Sequence, residues 1–166
     1  MNDELVIRDA DIDDIPAIGY LAQQIWPGTY QEILGPAQLQ YMMDLIYSPE
    51  SLYQQMMKQK HQFLMVELDE EPIGFASYSP LTEAGVYKLH KLYVHPKTQG
   101  KGIGRTLIDY IIDQLPDKAI ALRLNVNRYN KAKNFYEKIG FLVTKEEDIN
   151  IGNNYFMNDY VMERSL

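Results

Sequence analysis

A glycine-dense turn between an apolar run and an amphipathic run constrains this chain more than anything else in it. Gln99-Gly100-Lys101-Gly102-Ile103-Gly104-Arg105 follows the strand-like stretch Leu89 to Val94 and opens a helix-like stretch from Arg105 to Leu115. A turn placed there leaves backbone N–H groups free at the positive end of a helix dipole, an arrangement that binds phosphate-like anions. The glycines let a ligand approach the main chain and accept φ values closed to other residues. Lys101 and Arg105 put two cations at the same spot. The segment therefore reads as a pyrophosphate cradle. Spacing excludes two familiar versions of it. A G-x-G-x-x-G fingerprint starting at Gly100 needs a glycine where Arg105 stands, and a Walker A loop needs Lys-Ser/Thr after its last glycine, where Gly104 is followed by Arg105-Thr106.

What fits is Gln-x-x-Gly-x-Gly at Gln99, Gly102 and Gly104, which resembles the coenzyme A pyrophosphate loop of the GNAT superfamily of acetyl-CoA-dependent N-acetyltransferases. A second block, Asn125-Val126-Asn127-Arg128-Tyr129-Asn130 through Phe135-Tyr136-Glu137-Lys138-Ile139-Gly140-Phe141, resembles the family segment in which an asparagine loop touches the cofactor and a helix ends in Phe-Tyr-x-x-x-Gly-Phe. The two blocks stand in the family's order, about one helix and one strand apart. With Lys88 to Pro96 they cover residues 86 to 141, the cofactor half of that fold.

The resemblance implies an α/β fold: a central mixed, twisted sheet of about six to seven strands, helices on both faces, and a bulged, splayed pair of cofactor-binding strands. It implies one such domain over residues 1–166, with acetyl-CoA or coenzyme A as cofactor. Cofactor contacts are then expected from the main chain of Leu92, Tyr93 and Val94, which also offers an N–H to the oxyanion. The loop Gln99, Gly100, Lys101, Gly102, Ile103, Gly104 and Arg105 would hold the pyrophosphate. Asn127 and Asn130 would add hydrogen bonds, and Lys133 would approach a phosphate.

Periodicity along the chain agrees with an alternating α/β order. Leu5 to Arg8 reads as a first strand, and Asp11 or Asp13 caps a helix with the stripe Ile15, Ile18, Leu21, Ala22 and Ile25. Trp26-Pro27-Gly28 is expected to break that helix. Pro36 opens a second helix, and Ser48-Pro49-Glu50 a third that ends near Lys60. Phe63 to Glu67 and Ile73 to Tyr78 form a hairpin. In Val86 to Val94 the apolar step from Leu89 to Leu92 is three residues, which breaks the period of two and predicts a β-bulge near His90 or Lys91. Leu107, Ile108, Ile111, Ile112 and Leu115 stripe the next helix, ended by Pro116. Ile120, Leu122, Leu124 and Val126 alternate as a strand. Asn130 is expected to cap the last helix, with Gly140 just past its end, and Phe141 to Thr144 and Tyr155 to Glu163 close the sheet.

Composition narrows the partners. Sixteen Lys and Arg against 23 Asp and Glu give a net charge of −7, which disfavours nucleic acid or an anionic membrane. No apolar run approaches the ~20 residues that span a bilayer. The start Met1-Asn2-Asp3-Glu4 is acidic rather than a basic signal region, so the expectation is cytoplasmic. With no cysteine, an acyl-cysteine intermediate is excluded and direct transfer is the simplest route. The apolar late strands are able to support a homodimer. His90 and His95 are five residues apart on one strand and joined by no carboxylate cluster, so no metal is expected.

The chemistry then asks for a base, an oxyanion donor and an acid. Tyr136 matches the tyrosine of the family's Phe-Tyr pair, a common general acid there, and a phenol with pKa near ~10 is protonated at neutral pH. Many members place a glutamate on the bulged strand; Lys88-Leu89-His90-Lys91 has none. The base stays open between His90, the loop residue Glu83 and a water chain. The acceptor side is expected from the early helices and late strands, with Trp26, Tyr30, Tyr41, Tyr155 and Asp159 as its candidates, an acidic group selecting an ammonium. Asn158-Asp159-Tyr160-Val161-Met162-Glu163 resembles the ending of bacterial enzymes acting on polyamines or other small amines. The expected activity is acetyl transfer to a small cationic amine, with protein lysine or N-terminal acetylation and a non-catalytic acyl-CoA sensor as alternatives.

Overall fold

The structure is a computed structural model, and it describes residues 4–166; the acidic start at Met1 to Asp3 lies outside the described residues. Seven strands form one sheet: β1 (Leu5–Asp9), β2 (Gln62–Leu68), β3 (Glu71–Pro80), β4 (Val86–Val94), β5 (Ala121–Asn127), β6 (Leu142–Gly152) and β7 (Tyr155–Ser165). Their order is β1-β2-β3-β4-β5-β7-β6, antiparallel throughout except for the parallel pair β4–β5. A parallel pair needs a crossover, and α4 (Ile103–Gln114) supplies it.

Apolar stripes decide the layers. On one face α4 and α5 (Ala132–Lys138) pack Ile103, Leu107, Ile108, Ile111 and Tyr136 against Leu89, Leu122, Leu124 and Val126. On the other, α1 (Ile15–Tyr30), α2 (Pro36–Tyr47) and α3 (Pro49–Met57) bury Ile18, Ile25, Trp26, Met42 and Leu52 against Phe63, Met65 and Phe75. Each such side chain taken fully out of water contributes about 1.5–3 kcal/mol.

The bulge is where the broken alternation puts it. Ser77 faces Lys91 and the next residue, Tyr78, faces Leu89, so His90 is the extra residue of β4. Three expectations need correction. Trp26-Pro27-Gly28 does not break α1, which runs on to Tyr30 with Pro27 inside it. Proline forfeits one N–H bond there, and burial of Trp26 and Tyr30 on either side holds the turn. The strand expected to stop at Thr144 continues to Gly152, because β6 is an edge strand exposed on most of its length and carries the charged run Lys145 to Asp148 rather than an apolar alternation. Asn130 sits one residue before the assigned cap position, yet its Oδ1 accepts the Ala132 N–H at 2.9 Å. Gly140 follows α5 with φ +102, as a helix-ending glycine should. No described helix is long and apolar enough to cross a membrane.

Candidate active site

The cradle is built from main chain. Gly100 and Gly102 hold φ values of +87 and +73, a region that side chains occupy only with strain, and a Cβ on either would meet nothing within 4 Å. Gly102 occupies the cap position of α4 and brings no side-chain cap. The helix therefore presents its first-turn N–H groups outward, whereas Ser48 accepts from Ser51 N–H at the start of α3. Gly104 serves packing instead: a Cβ there would stand 3.1 Å from the Phe135 ring. Open space over a positive helix end, with Arg105 in the lining, fits a pyrophosphate.

From the cradle a cleft of about 880 Å³ runs along β4. It exists because the β4–β5 ladder has only four rungs, the last joining Leu89 to Leu124. Beyond that rung the strands separate, and Leu92, Tyr93 and Val94 line one wall while Asn125 and Val126 line the other. The end of α1 closes a third side with Ile25, Thr29 and Tyr30. The Tyr30 and Tyr93 hydroxyls are 2.9 Å apart, and Trp26 packs tilted against both rings, its centroid 4.5 and 5.7 Å from theirs. Tyr136 lines the cleft from α5. Burial, and next Tyr30, push its phenol well above the ordinary value, so it holds its proton firmly.

Past the last rung lies a group of polar side chains around one buried carboxyl. Asn125 donates through Nδ2 to Asp159 Oδ2 at 3.2 Å and to Glu147 Oε2 at 3.4 Å. Asp159 is 1% exposed and its Oδ1 has no partner among the described residues. Burial raises its carboxyl pKa, against the Asn125 bond and the nearby Lys88 charge. On the opposite side of the bulge, Lys91 is buried, donates to Gln55 Oε1 at 2.6 Å and lies over the Phe63 and Tyr47 rings at 5.4 and 5.8 Å. Burial, then the charge of Lys88, brings its pKa down to about 8.

A clasp joins α2 to the far edge of the sheet. Tyr41 of α2 donates to Ile151 O at 2.7 Å and Gln38 donates to Phe156 O at 2.9 Å, fastening α2 to the β6–β7 hairpin. Tyr155 stacks on Tyr41 at 5.3 Å there.

Several expected residues take other roles. His90 borders the cleft, but its imidazole bonds Ser79 Oγ at 2.7 Å and stacks on His61 at 3.8 Å. Burial first, then His61 and the two lysines, lowers its pKa to about 3, which leaves a feeble base at neutral pH and removes it as a candidate. Glu83 is exposed and paired with Arg123 at 3.5 Å, away from the cleft lining. Trp26 is core, its Nε1 donating to the Tyr47 hydroxyl at 3.1 Å. Asn127 spends its Oδ1 on the Tyr129 N–H, Lys133 pairs with Glu137 at 3.6 Å over the Tyr160 ring, and neither lines the cleft. Lys101 is exposed on the loop and outside the lining, while Gln99, Ile103 and Asn130 are within it.

Asn125, Glu147, Gln55 and Gln38 escaped the sequence reading as site residues, whereas Tyr41 and Tyr155 were expected on the acceptor side. Asn125 had a signal: strict alternation with Leu124 and Val126 turns it to the opposite face of β5. The others come together only through contacts of high sequence separation.

The comparisons with known proteins agree with this geometry. A family model described as acetyltransferase (GNAT) domain matches residues 29–157. The chain is 27% identical to spermidine N(1)-acetyltransferase of Thermoplasma acidophilum over 164 residues, 95% of each protein. It is 35% identical to the [ribosomal protein bS18]-alanine N-acetyltransferase of Haemophilus influenzae over 102 residues, 59% of this chain and 64% of that one. The crystal structure of PaiA N-acetyltransferase from Thermoplasma acidophilum in complex with coenzyme A superposes with a TM-score of 0.79 at 27% identity, covering 98% and 99% of the two chains. A GCN5-related N-acetyltransferase from Rhodopseudomonas palustris, 20% identical, shares the fold with a TM-score of 0.81 over 100% and 99%. The chain is therefore a member of the GNAT acetyltransferase family, an N-acetyltransferase that uses acetyl-CoA.

Proposed function

We propose that this enzyme transfers the acetyl group directly to the primary amine of a small cationic acceptor of the polyamine type. The observation that carries the reading is the clasp: Tyr41 and Gln38 tie α2 to the β6–β7 hairpin, which argues against an open peptide groove between them. A buried carboxylate, Asp159, stands behind the cleft wall at Asn125, which favours an ammonium. The spermidine acetyltransferase among the relatives supports the same choice.

Acetyl-CoA supplies a thioester whose carbonyl carbon an amine attacks. The loop from Gln99 to Arg105 would hold its pyrophosphate, and the main chain of Leu92 to Val94, which lines the cleft, would offer N–H groups to the carbonyl oxygen. Tyr136 gives its phenolic proton to the departing sulfur. An amine of pKa near ~10 is about one part in a thousand neutral at pH 7, so the protein must also accept a proton. No cysteine is present to carry the acyl group, and transfer is therefore direct.

The test is coenzyme A thiol release from acetyl-CoA with spermidine, amino acids, aminoglycosides, a lysine peptide and an N-terminal alanine peptide. A cysteine-free chain gives a thiol reagent no protein background. Spermidine or another small polyamine should lead the peptides by roughly tenfold or more in kcat/KM, a difference of about 1.4 kcal/mol in transition-state binding. Preference for the alanine peptide would favour the protein-modifying reading, as the bS18 relative does. Silence across the panel in protein that binds acetyl-CoA would favour a sensor.

A further inference from the structure

The proton acceptor left open by the sequence has a candidate in the buried polar group beside the split. We infer that Asp159 is the proton acceptor of the reaction, its unpartnered Oδ1 taking the proton of the acceptor ammonium through a water. The inference rests on the amine-acetylating reading above and adds the group that makes the amine nucleophilic.

Three observations place it. Asp159 is 1% exposed, yet Oδ1 has no hydrogen-bond partner among the described residues. A buried carboxylate oxygen without a donor is costly, so a donor is expected to arrive with the ligand. Next, Asp159 stands one hydrogen bond behind the cleft wall: Asn125, the first residue past the Leu89–Leu124 rung, lines the cleft and donates to Oδ2 at 3.2 Å, while Asp159 itself is not in the lining. That bond fixes the carboxylate and leaves the buried Oδ1 as the oxygen without a partner among the described residues. Finally, the other candidates are spent, His90 on Ser79 and His61, and Glu83 on Arg123.

The groups acting on Asp159 come from every neighbouring element. Asn125 on β5 bonds it, Lys88 on β4 and Arg128 after β5 favour its ionised form, and Glu147 on β6 opposes that form. Asp159 in turn acts on Tyr30 of α1, which lines the same cleft. Lys88 is itself half-buried between Glu147 and Asp159, where burial depresses its pKa. Burial outweighs these groups and keeps the carboxyl above its ordinary value, suited to taking a proton and releasing it again.

The step balances as follows. Asp159 takes one proton from the ammonium through the water, and the freed lone pair forms the C–N bond at the thioester carbon. The C–S bond breaks, and sulfur leaves with the electron pair and receives the Tyr136 proton. The second nitrogen proton restores Tyr136 directly or through solvent, and Asp159 returns its own to solvent.

Asp159→Asn preserves the shape and removes the base. Acceptor affinity for the coenzyme A complex, read by calorimetry, should fall at least tenfold. Turnover should fall roughly 10²–10⁴-fold, and the acidic limb of the pH–rate profile should vanish, with coenzyme A affinity unchanged. Asp159→Glu should recover part of the turnover. Asn125→Ala, which removes the donor to Oδ2, should move the acidic limb to higher pH; a structural role for Asp159 would leave that limb in place. Turnover within threefold of the parent in Asp159→Asn, with the limb retained, overturns the assignment. If only peptides are acetylated, the small-amine reading fails while the same losses with peptide still support Asp159. If no acceptor of either kind is turned over, both fall.

Discussion

The two ends of the cleft are built from different materials. At the cradle, the work falls to main chain: positive φ at Gly100 and Gly102, a helix start without a capping side chain, and space where a Cβ would go. At the acceptor end it falls to side chains, among them the buried Asp159, Tyr136 and Lys91 and the half-buried Asn125. A main-chain site needs only residues that leave room, so it tolerates change in all but a few glycines. A buried polar site depends on each partner, because one missing bond leaves the other group unsatisfied in low dielectric. Substitutions at the second end should therefore have the larger effects.

The largest is expected at Tyr136. Tyr136→Phe keeps the ring that packs at 5.6 Å from Phe141 and removes only the hydroxyl. Turnover should fall roughly 10²–10⁴-fold, the usual range for losing a general acid. Coenzyme A affinity, measured by calorimetry, should stay within about threefold. A variant that keeps its turnover would move Tyr136 from chemistry to packing and weaken the contrast between the ends.

The same contrast explains what could be read from the chain. The cradle was legible because glycines at fixed spacing are local, and the bulge because a three-residue apolar step is local too. Tyr136 came through its motif. The acceptor end is assembled from β5, β6, β7 and α2, where Asn125 meets residues 22 and 34 positions away and Tyr41 meets Ile151 at a separation of 110. No periodicity encodes such meetings. His90 shows the reverse hazard: its residue type invited a base, but His61, stacked on it from 29 positions earlier in the sequence, and the flanking lysines suppress its basicity. Pro27 misled for a related reason, since a local breaker lost to the burial of Trp26 and Tyr30.

Lys91 tests how much the buried end costs the fold. Its pKa is about 8 in the folded protein, against 10.5 as its ordinary value. The folded pKa is depressed, so the unfolded chain binds the proton more readily over that window. The penalty is therefore present in full below about pH 8 and is relieved as pH rises toward about 10.5. The gap corresponds to about 3 kcal/mol. Lys91→Met removes the charge but leaves Gln55 Oε1 without its donor, which returns roughly 1–3 kcal/mol of that gain. At pH 7 the variant should be more stable by up to about 2 kcal/mol in urea unfolding, and the advantage should be gone by about pH 10. An advantage independent of pH would mean that packing, not the buried charge, sets the difference.

The smallest effect is expected at the cradle, and Gly102→Ala isolates it. No atom lies within 4 Å of the added Cβ, so clash within the protein contributes nothing. What remains is the left-handed backbone at φ +73, worth about 1–2 kcal/mol for a residue with a side chain. Two measurements divide that strain. If the loop relaxes out of the left-handed region when empty, the melting temperature stays put and the strain is met only on binding. Coenzyme A affinity then falls roughly tenfold, since about 1.4 kcal/mol is a factor of ten. If the fold holds Gly102 rigidly, stability falls and affinity changes little. We expect the first, because Gly102 is exposed and has no side-chain cap to brace the turn. The second outcome would make the cradle as dependent on its surroundings as the buried end, and the difference between the two ends would shrink to one of residue type.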